Sequence, residues 1–260
     1  QKCPYGLYAE QLSGTAFTAP RFKNHRVWLY RIRPSVIQGP FTPLAHPTFA
    51  NEPLILDPNQ HRWLAPSIPE DVPVDFIDGI TLTCSSGEPT TKAGLAIYLY
   101  TANKSMGNRV FHNSDGDFLI VPQLGSLRIK TEMGIIHAEP TEIVVIQRGI
   151  KFSVDVEGPS RGYILEVFSG HFVIPDLGPI GANGLANPRD FLTPVAAYED
   201  LDTEHVVVNK FGNKLFQSLH NHSPFDVVAW HGNYAPYKYD LKLFCCMNSV
   251  TFDHPDPSIY

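Results

Sequence analysis

Three groupings of histidine with carboxylate or aromatic neighbours have the residue types and spacing to do chemistry. The first is His220-Asn221-His222, followed by Asp226, which has the make-up of one arm of a two-histidine, one-carboxylate metal site. Alternation along a strand would put both imidazoles on one face. The competing reading is a polar loop ahead of the apolar run Val227–Trp230, which Ser223-Pro224 favours. The second is Phe252-Asp253-His254-Pro255-Asp256-Pro257-Ser258, a histidine set between two aspartates in a proline-stiffened stretch. A carboxylate beside an imidazole orients the ring and raises its basicity, as a general base requires; spacing alone is equally met by a surface histidine in a turn. The third, Trp230-His231-Gly232-Asn233-Tyr234-Ala235-Pro236-Tyr237-Lys238-Tyr239, concentrates aromatic rings with polar groups. It could line a pocket for a flat ring, or form a turn packed by its own aromatics.

A fourth pattern invites comparison with the cupin barrel, in which two hairpin motifs aim three imidazoles and a carboxylate at one metal ion. Gly107, His112, Asp117 and Gly125 fall near the positions of the first cupin motif. Ser114 stands where its second histidine would be, and Phe152 occupies the ligand position of the second motif. Phenylalanine cannot bind metal, and two remaining ligands rarely hold a divalent ion against water. The expectation is a degenerate, metal-free cupin-like domain kept for its packing, with His112 hydrogen-bonded or exposed. No Walker or Rossmann phosphate loop occurs, since Gly181-Ala182-Asn183-Gly184 lacks the spacing, and Ser85-Ser86-Gly87 is no nucleophile elbow.

The elements that must carry these residues read as short strands. The chain has 260 residues, 43% of them hydrophobic, enough for one large β domain or two small ones. The 23 prolines and 19 glycines, with only 18% charged residues, suit a β-rich fold with many turns. Residues 34–75 are proline-rich and read as an irregular stretch wrapped over a surface, because proline donates no ladder hydrogen bond. Strand signals follow at Leu95–Thr101, Asp117–Val121, Ser126–Thr131, Ile135–Ala138, Glu142–Gln147, Lys151–Val156 and Gly162–Phe168, with a turn at Gln123-Leu124-Gly125. Glycines punctuate them at roughly nine-residue intervals, the rhythm of a β-sandwich or barrel. The loop at 175–191 carries one helical turn starting at Pro188, and further strands are expected at His205–Phe211, Val227–Trp230 and Lys242–Phe244.

Composition also excludes partners. A net charge of −6 with no basic run lacks the footprint of a nucleic-acid binder. No stretch approaches the ~20 apolar residues of a membrane span. Cys3, Cys84, Cys245 and Cys246 show no C-x-x-C spacing, which argues against a disulfide scaffold and for a reducing, cytoplasmic setting. Gln1 is not an initiator, so the chain is expected to begin inside a longer gene product.

Five long strings carry a resemblance: Pro4–Gly14, Asn113–Gln123, Pro175–Phe191, Trp230–Tyr239 and Phe252–Ser258. All are similar to the homogentisate 1,2-dioxygenase family, and the likeness runs from about residue 3 to the end, less clearly over residues 40–56. The resemblance implies an enzyme that opens the ring of homogentisate with O2 to give maleylacetoacetate, in tyrosine and phenylalanine breakdown. It implies a non-haem Fe(II) held by two histidines and a glutamate, all located after the position matching Tyr260. It implies homo-oligomers, trimers paired into hexamers. It makes His254 the proton acceptor for a substrate hydroxyl. On the same basis residues 1–240 are the structural β domain and 241–260 the start of the catalytic one, so a chain ending at Tyr260 is expected to be inactive alone. Residues 175–191 would be a subunit interface or an active-site wall. The alternative function is a metal-free cupin-like module for binding or oligomerisation.

Overall fold

The computed structural model describes residues 5–49, 59, 60, 62, 64–174, 179, 180 and 184–246. In chain order the strands are β1 (Tyr8–Ser13), β2 (Arg26–Arg31), β3 (Thr42–Leu44), β4 (Ile80–Glu88), β5 (Ala93–Ala102), β6 (Arg109–Asn113), β7 (Asp117–Leu124), β8 (Leu127–Thr131), β9 (Gly134–Ala138) and β10 (Glu142–Ile146). They continue with β11 (Phe152–Asp155), β12 (Ser160–Val167), β13 (Pro179–Ile180), β14 (Gly184–Leu185), β15 (His205–Phe211), β16 (Lys214–His220), β17 (Val227–Gly232), β18 (Tyr237–Asp240) and β19 (Cys245–Cys246). The helical elements among the described residues are single 3-10 turns, including Pro188–Asp190, where a helical turn is expected from Pro188.

Two large sheets face each other. One has the order β18-β10-β7-β12-β5-β4, the other β3-β16-β15-β6-β11-β8-β9. Every pairing in them is antiparallel except β6 with β15. Tyr98, Phe118, Val144 and Ile164 from the first sheet meet Phe111, Ile129, Phe152 and Val208 from the second in one core. Phe111 stacks on Phe118 with centroids 5.8 Å apart. The mainly-β sandwich expected from the glycine rhythm is therefore the architecture, and the two sheets are not joined into a closed barrel. A third sheet, β1-β2-β17, adds Val27, Leu29 and Val227 to the same core, and β13-β14-β19 forms a small fourth.

The alternation that identified the strands has a physical counterpart at β11. Phe152 and Val154 face the core and are 1% exposed. Ser153, expected to face water, is 2% exposed. The outer face of that sheet is covered by residues 33–41 and by the segments 195–204 and 221–226 that flank β15 and β16, with Phe41 and Phe225 packed on Val110 and Val207. Ser218 donates to the Gly39 carbonyl, Arg33 N to Asp226 and Glu199 N to the Phe225 carbonyl. Among the described residues of the arm only β3 joins a ladder, and it does so as an edge strand opposite β16, where Pro43 needs no outward donor.

Two sequence expectations need correction. Lys242–Phe244, expected as a strand, begins inside a 3-10 turn over Leu241–Leu243, because Asp240 caps it by accepting from Lys242 N at 3.0 Å. The turn before β8 is narrower than expected: β7 runs through Leu124 and turns at Gly125, whose φ of +74° suits glycine. A Cβ there would also lie 2.5 Å from the Pro159 carbonyl oxygen.

Candidate functional site

The segment Asn113-Ser114-Asp115-Gly116-Asp117 joins the two sheets, and each of its polar side chains is committed. Asn113 donates to Glu166 at 2.5 Å, and its Oδ1 accepts from Asp115 N. Asp115 accepts from Lys210 Nζ at 2.7 Å and from the backbone of Gly212 and Asn213. Glu166 on β12 accepts from Lys210 at 3.0 Å and from the Tyr98 hydroxyl at 2.7 Å. Burial and the Glu166 charge push the Tyr98 phenol well above its usual range, so it stays a donor. Lys210, Asp115, Glu166 and Asn113 are all buried, and the ammonium also lies 5.5 Å from the Phe168 ring centroid. The network ties one sheet to the other through charge-assisted hydrogen bonds. Ser114 donates to Asn209. Asp117 accepts from Arg148 N and faces His171 Nδ1 at 3.0 Å.

This arrangement corrects the cupin-frame reading in one respect. His112 and Asp117, the two ligands left in that frame, do not face a common point. Asp117 opens β7 in one sheet. His112 lies on β6 of the other, one residue from the core-facing Phe111, and so on the opposite face from Phe152, which pairs with Phe111. His112 is half-buried against Phe41, with centroids 6.2 Å apart, rather than exposed. Among the described residues no group of three or more His, Cys, Asp or Glu is arranged to hold a metal ion.

His112 belongs to a second polar neighbourhood, under the covering segments. His220 ends β16, directly opposite His205 on β15. His222 follows in the connecting loop, its ring 5.8 Å from that of His220. Strand and loop readings of this motif thus each hold for one histidine. Arg31 pairs with Glu132, Glu10 and Asp226 around them, and Lys151 Nζ lies 3.4 Å from Glu132. Burial would raise the Glu132 carboxyl, but Lys151 and Arg31 overcome it and hold it at about 2. Burial, then the charge of Lys151, lowers His112 to about 3; burial, Lys151 and His222 lower His220 to about 4. Neither ring nitrogen of His220 has a hydrogen-bond partner among the described residues.

A pH dependence follows. An imidazole whose folded value lies below its usual 6.5 is protonated first in the unfolded chain. Stability should be full above about pH 6.5 and decline from there toward pH 4 as His220 and His112 are forced to charge. Below 4.5 the loss of the Glu132 charge adds to the same trend. His220→Gln should flatten the upper part of the profile by on the order of 1–3 kcal/mol. Urea midpoints measured from pH 7.5 to 4 would check this, and parallel profiles for the two proteins would contradict it.

The third neighbourhood contains the aromatic run. Most of it is used locally. Trp230 donates to the Met133 carbonyl, His231 Nε2 meets the Tyr30 hydroxyl at 3.1 Å, and Asn233 accepts from Arg26 N. Gly232 holds φ +142°, and a Cβ there would lie 2.3 Å from the Arg26 carbonyl oxygen. The same turn nevertheless walls a cavity of about 310 Å3, whose lining includes Tyr234, Ala235, Tyr237, His25, His171 and Gln147. The run thus forms a turn held by its own hydrogen bonds and also lines a cavity. His171, His25 and Gln147 were missed because each is a single polar residue far from the motif in the chain. Glu166 was more legible: it is the one charge at a core-facing position of the apolar run Gly162–Phe168.

His254 lies outside the described residues, as do residues 175–178 and 181–183 of the 175–191 loop. The described part of that loop pairs β14 with β19, and Phe191 stacks on Tyr239 at 4.4 Å.

Residues 1–241 match the family model described as "Homogentisate 1,2-dioxygenase N-terminal". The chain belongs to the homogentisate 1,2-dioxygenase family. Homogentisate 1,2-dioxygenase from Dictyostelium discoideum is 61% identical over 262 residues, which is all of this chain and 61% of the relative. The proteins of the same name from Caenorhabditis elegans and Homo sapiens are 57% and 56% identical, again over the whole chain and 60% of each relative. The chain thus spans about three fifths of the length of these homogentisate 1,2-dioxygenases. Among solved structures, a cupin-2 domain containing protein from Shewanella frigidimarina aligns at 18% identity and a TM-score of 0.26, over 28% of this chain and 70% of its own. A cupin 2 conserved barrel domain protein from Leptotrichia buccalis aligns at 12% identity and a TM-score of 0.30, over 61% of this chain and 85% of its own. Likeness at that level adds nothing to the fold read from the strand order. No helix among the described residues is long and apolar enough to cross a membrane.

Proposed function

We propose that this chain is the N-terminal part of a dioxygenase that opens the aromatic ring of homogentisate with O2 to give maleylacetoacetate. The observation that carries the reading is 55–61% identity, over the whole chain, to proteins that all bear the name homogentisate 1,2-dioxygenase. On this reading residues 1–240 are a structural β domain and 241–260 open the catalytic one, a division supported by the family model ending at residue 241. The described residues do not fit an iron site, because no three donors converge and Phe152 fills the core where a ligand would sit. Fe(II) would be held by residues corresponding to the part of the relatives beyond this chain. This chain's own chemical contribution is His254, which takes a proton from a substrate hydroxyl and leaves an electron-rich ring. The aspartates on either side, Asp253 and Asp256, support that role by favouring a basic imidazole. Homo-oligomerisation and a reducing, cytoplasmic setting belong to the same proposal.

The test is oxygen uptake with homogentisate by the full-length protein supplied with Fe(II), with the ring-opened product followed by its absorbance. Stoichiometric uptake dependent on homogentisate is expected. No uptake by iron-replete protein would overturn the reading.

A further inference from the structure

The outer face of the seven-stranded sheet carries histidines that its cover shuts away from water. His220 is 5% exposed, and both of its ring nitrogens are buried without a partner among the described residues. Ser153 Oγ, on the same face because Phe152 and Val154 point to the core, is likewise buried and unpartnered. The groups around His220 are already committed. Opposite it on β15, His205 meets the Thr203 carbonyl through Nδ1. His222 lies beside it in the following loop, where Arg31 and Arg33 also face that second ring. Lys151 faces both His220 and His112. The carboxylates of the layer are taken. Glu132 is held by Arg31 and Lys151, Asp226 by Arg31 and the Arg33 amide, Glu10 by Arg31 and the Ser35 amide, and Glu199 by Lys130 and Ser223. A proton placed on His220 in the closed structure therefore meets a cation and no free acceptor among the described residues, and a buried charge without a partner is costly.

The cover over these rings is lightly attached. Its apolar contact with the sheet is the small cluster of Phe41 and Phe225 on Val110 and Val207, apart from the large core between the two sheets. The rest is polar. Arg33 pairs with Asp200 and Asp202, whose side chains are 58% and 83% exposed, and pairs so open to solvent add little. Ser218 donates to the Gly39 carbonyl, Ser223 N to the Leu201 carbonyl and Glu199 N to the Phe225 carbonyl. Segments with little buried apolar surface lie at the low-stability end of a structure and open without global unfolding.

We propose that this cover is a pH-operated strap: protonation of His220, with His112 beside it, separates residues 33–41, 195–204 and 221–226 from one another and from the sheet while the two-sheet core stays folded. Closed, the strap leaves the imidazolium no acceptor; open, it gives the ring water. Burial and Lys151 hold both imidazoles below their ordinary 6.5 only while the strap is down. A group whose closed value is lowered takes its proton more readily in the open form, so acid favours opening and neutral pH favours closure. Each imidazole that regains its ordinary value on opening raises the open population about tenfold between pH 7.5 and 5.5. The inference is independent of the ring-opening reading, and its test does not measure turnover.

The experiment is amide hydrogen exchange on the full polypeptide at pH 7.5, 6.5 and 5.5, with each rate corrected for the chemical exchange rate at that pH. The reporters in the strap are the Arg33, Glu199 and Ser223 amides, all bonded between its segments. The reporters in the core are the amides of β12, which is paired on both sides by β5 and β7. Protection in the strap is expected to fall by about tenfold or more from pH 7.5 to 5.5, with β12 unchanged within about twofold. His220→Gln should keep the protection seen at pH 7.5 and shrink the acid-induced fall by about tenfold. Should that variant fold poorly, His220→Asn takes its place. The proposal is overturned if strap protection does not fall, or if strap and β12 lose protection together. A fall of unchanged size in His220→Gln or His220→Asn overturns it as well.

Discussion

Replacing Lys210 by methionine is expected to destabilise the protein by about 3–5 kcal/mol, the usual consequence of removing one partner of a buried ion pair. The shape changes little, since methionine fills most of the volume of the lysine stem. What is lost is the only cation that pairs with the Asp115 and Glu166 carboxylates among the described residues, at 2.7 and 3.0 Å. Both carboxylates sit in the seam between the two sheets, with exposures of 3% and 0%. Their remaining donors are the Gly212 and Asn213 amides, the Asn113 amide and the Tyr98 hydroxyl. These are neutral groups and cannot offset two buried charges in low dielectric. Urea unfolding of the Lys210→Met variant would measure the loss. The double variant Lys210→Met/Asp115→Asn should recover part of it, because it removes one of the stranded charges. A loss below about 1 kcal/mol would mean that the network is not what joins the sheets.

Replacing His254 by alanine in the full-length enzyme is expected to lower kcat by about 10²–10⁴, the usual contribution of a positioned general base. Iron content should stay close to that of the unsubstituted enzyme, because the proposed role is to take a proton and not to bind metal. A second signature separates this role from a structural one. If the imidazole acts as the base, the acidic limb of the kcat profile should disappear in His254→Ala, whereas a merely misfolded protein would keep the limb at reduced amplitude. An unchanged kcat would remove His254 from the mechanism.

Much of the fold could be read from the chain because the strands of a sandwich alternate between a wet and a dry side. His205–Phe211 is expected and found with the same limits, and β10, β11 and β12 lie within one or two residues of the apolar runs that announce them. β1 to β4, β6, β16 and β18 are not among the expected strands, nor are the two-residue β13, β14 and β19. β6 and β16 mix apolar and polar residues on both faces, since their outer side is covered too: Val110 and Val207 pack there against Phe225 while Phe111 and Leu215 face the core. There His112, His205 and His220 occupy positions that would normally meet water. A strand covered on both faces, with polar and apolar residues on each, has no clean period of two for a sequence reading to catch.

The candidate sites divide along the same line. Local sequence determined that Phe152 could not be a ligand, that the Trp230–Tyr239 run turns on its own hydrogen bonds, and which family the chain belongs to. A phenylalanine has no donor atom whatever surrounds it, and a turn is settled by its own residues. Only the tertiary structure decided that His112 and Asp117 point into different neighbourhoods, that Lys210 joins Asp115 to Glu166, and that His205 and His220 face each other across β15 and β16. Each of those facts depends on segments tens of residues apart being brought together by strand pairing. The long-range register that does this follows from the packing of the whole core, not from any motif within it.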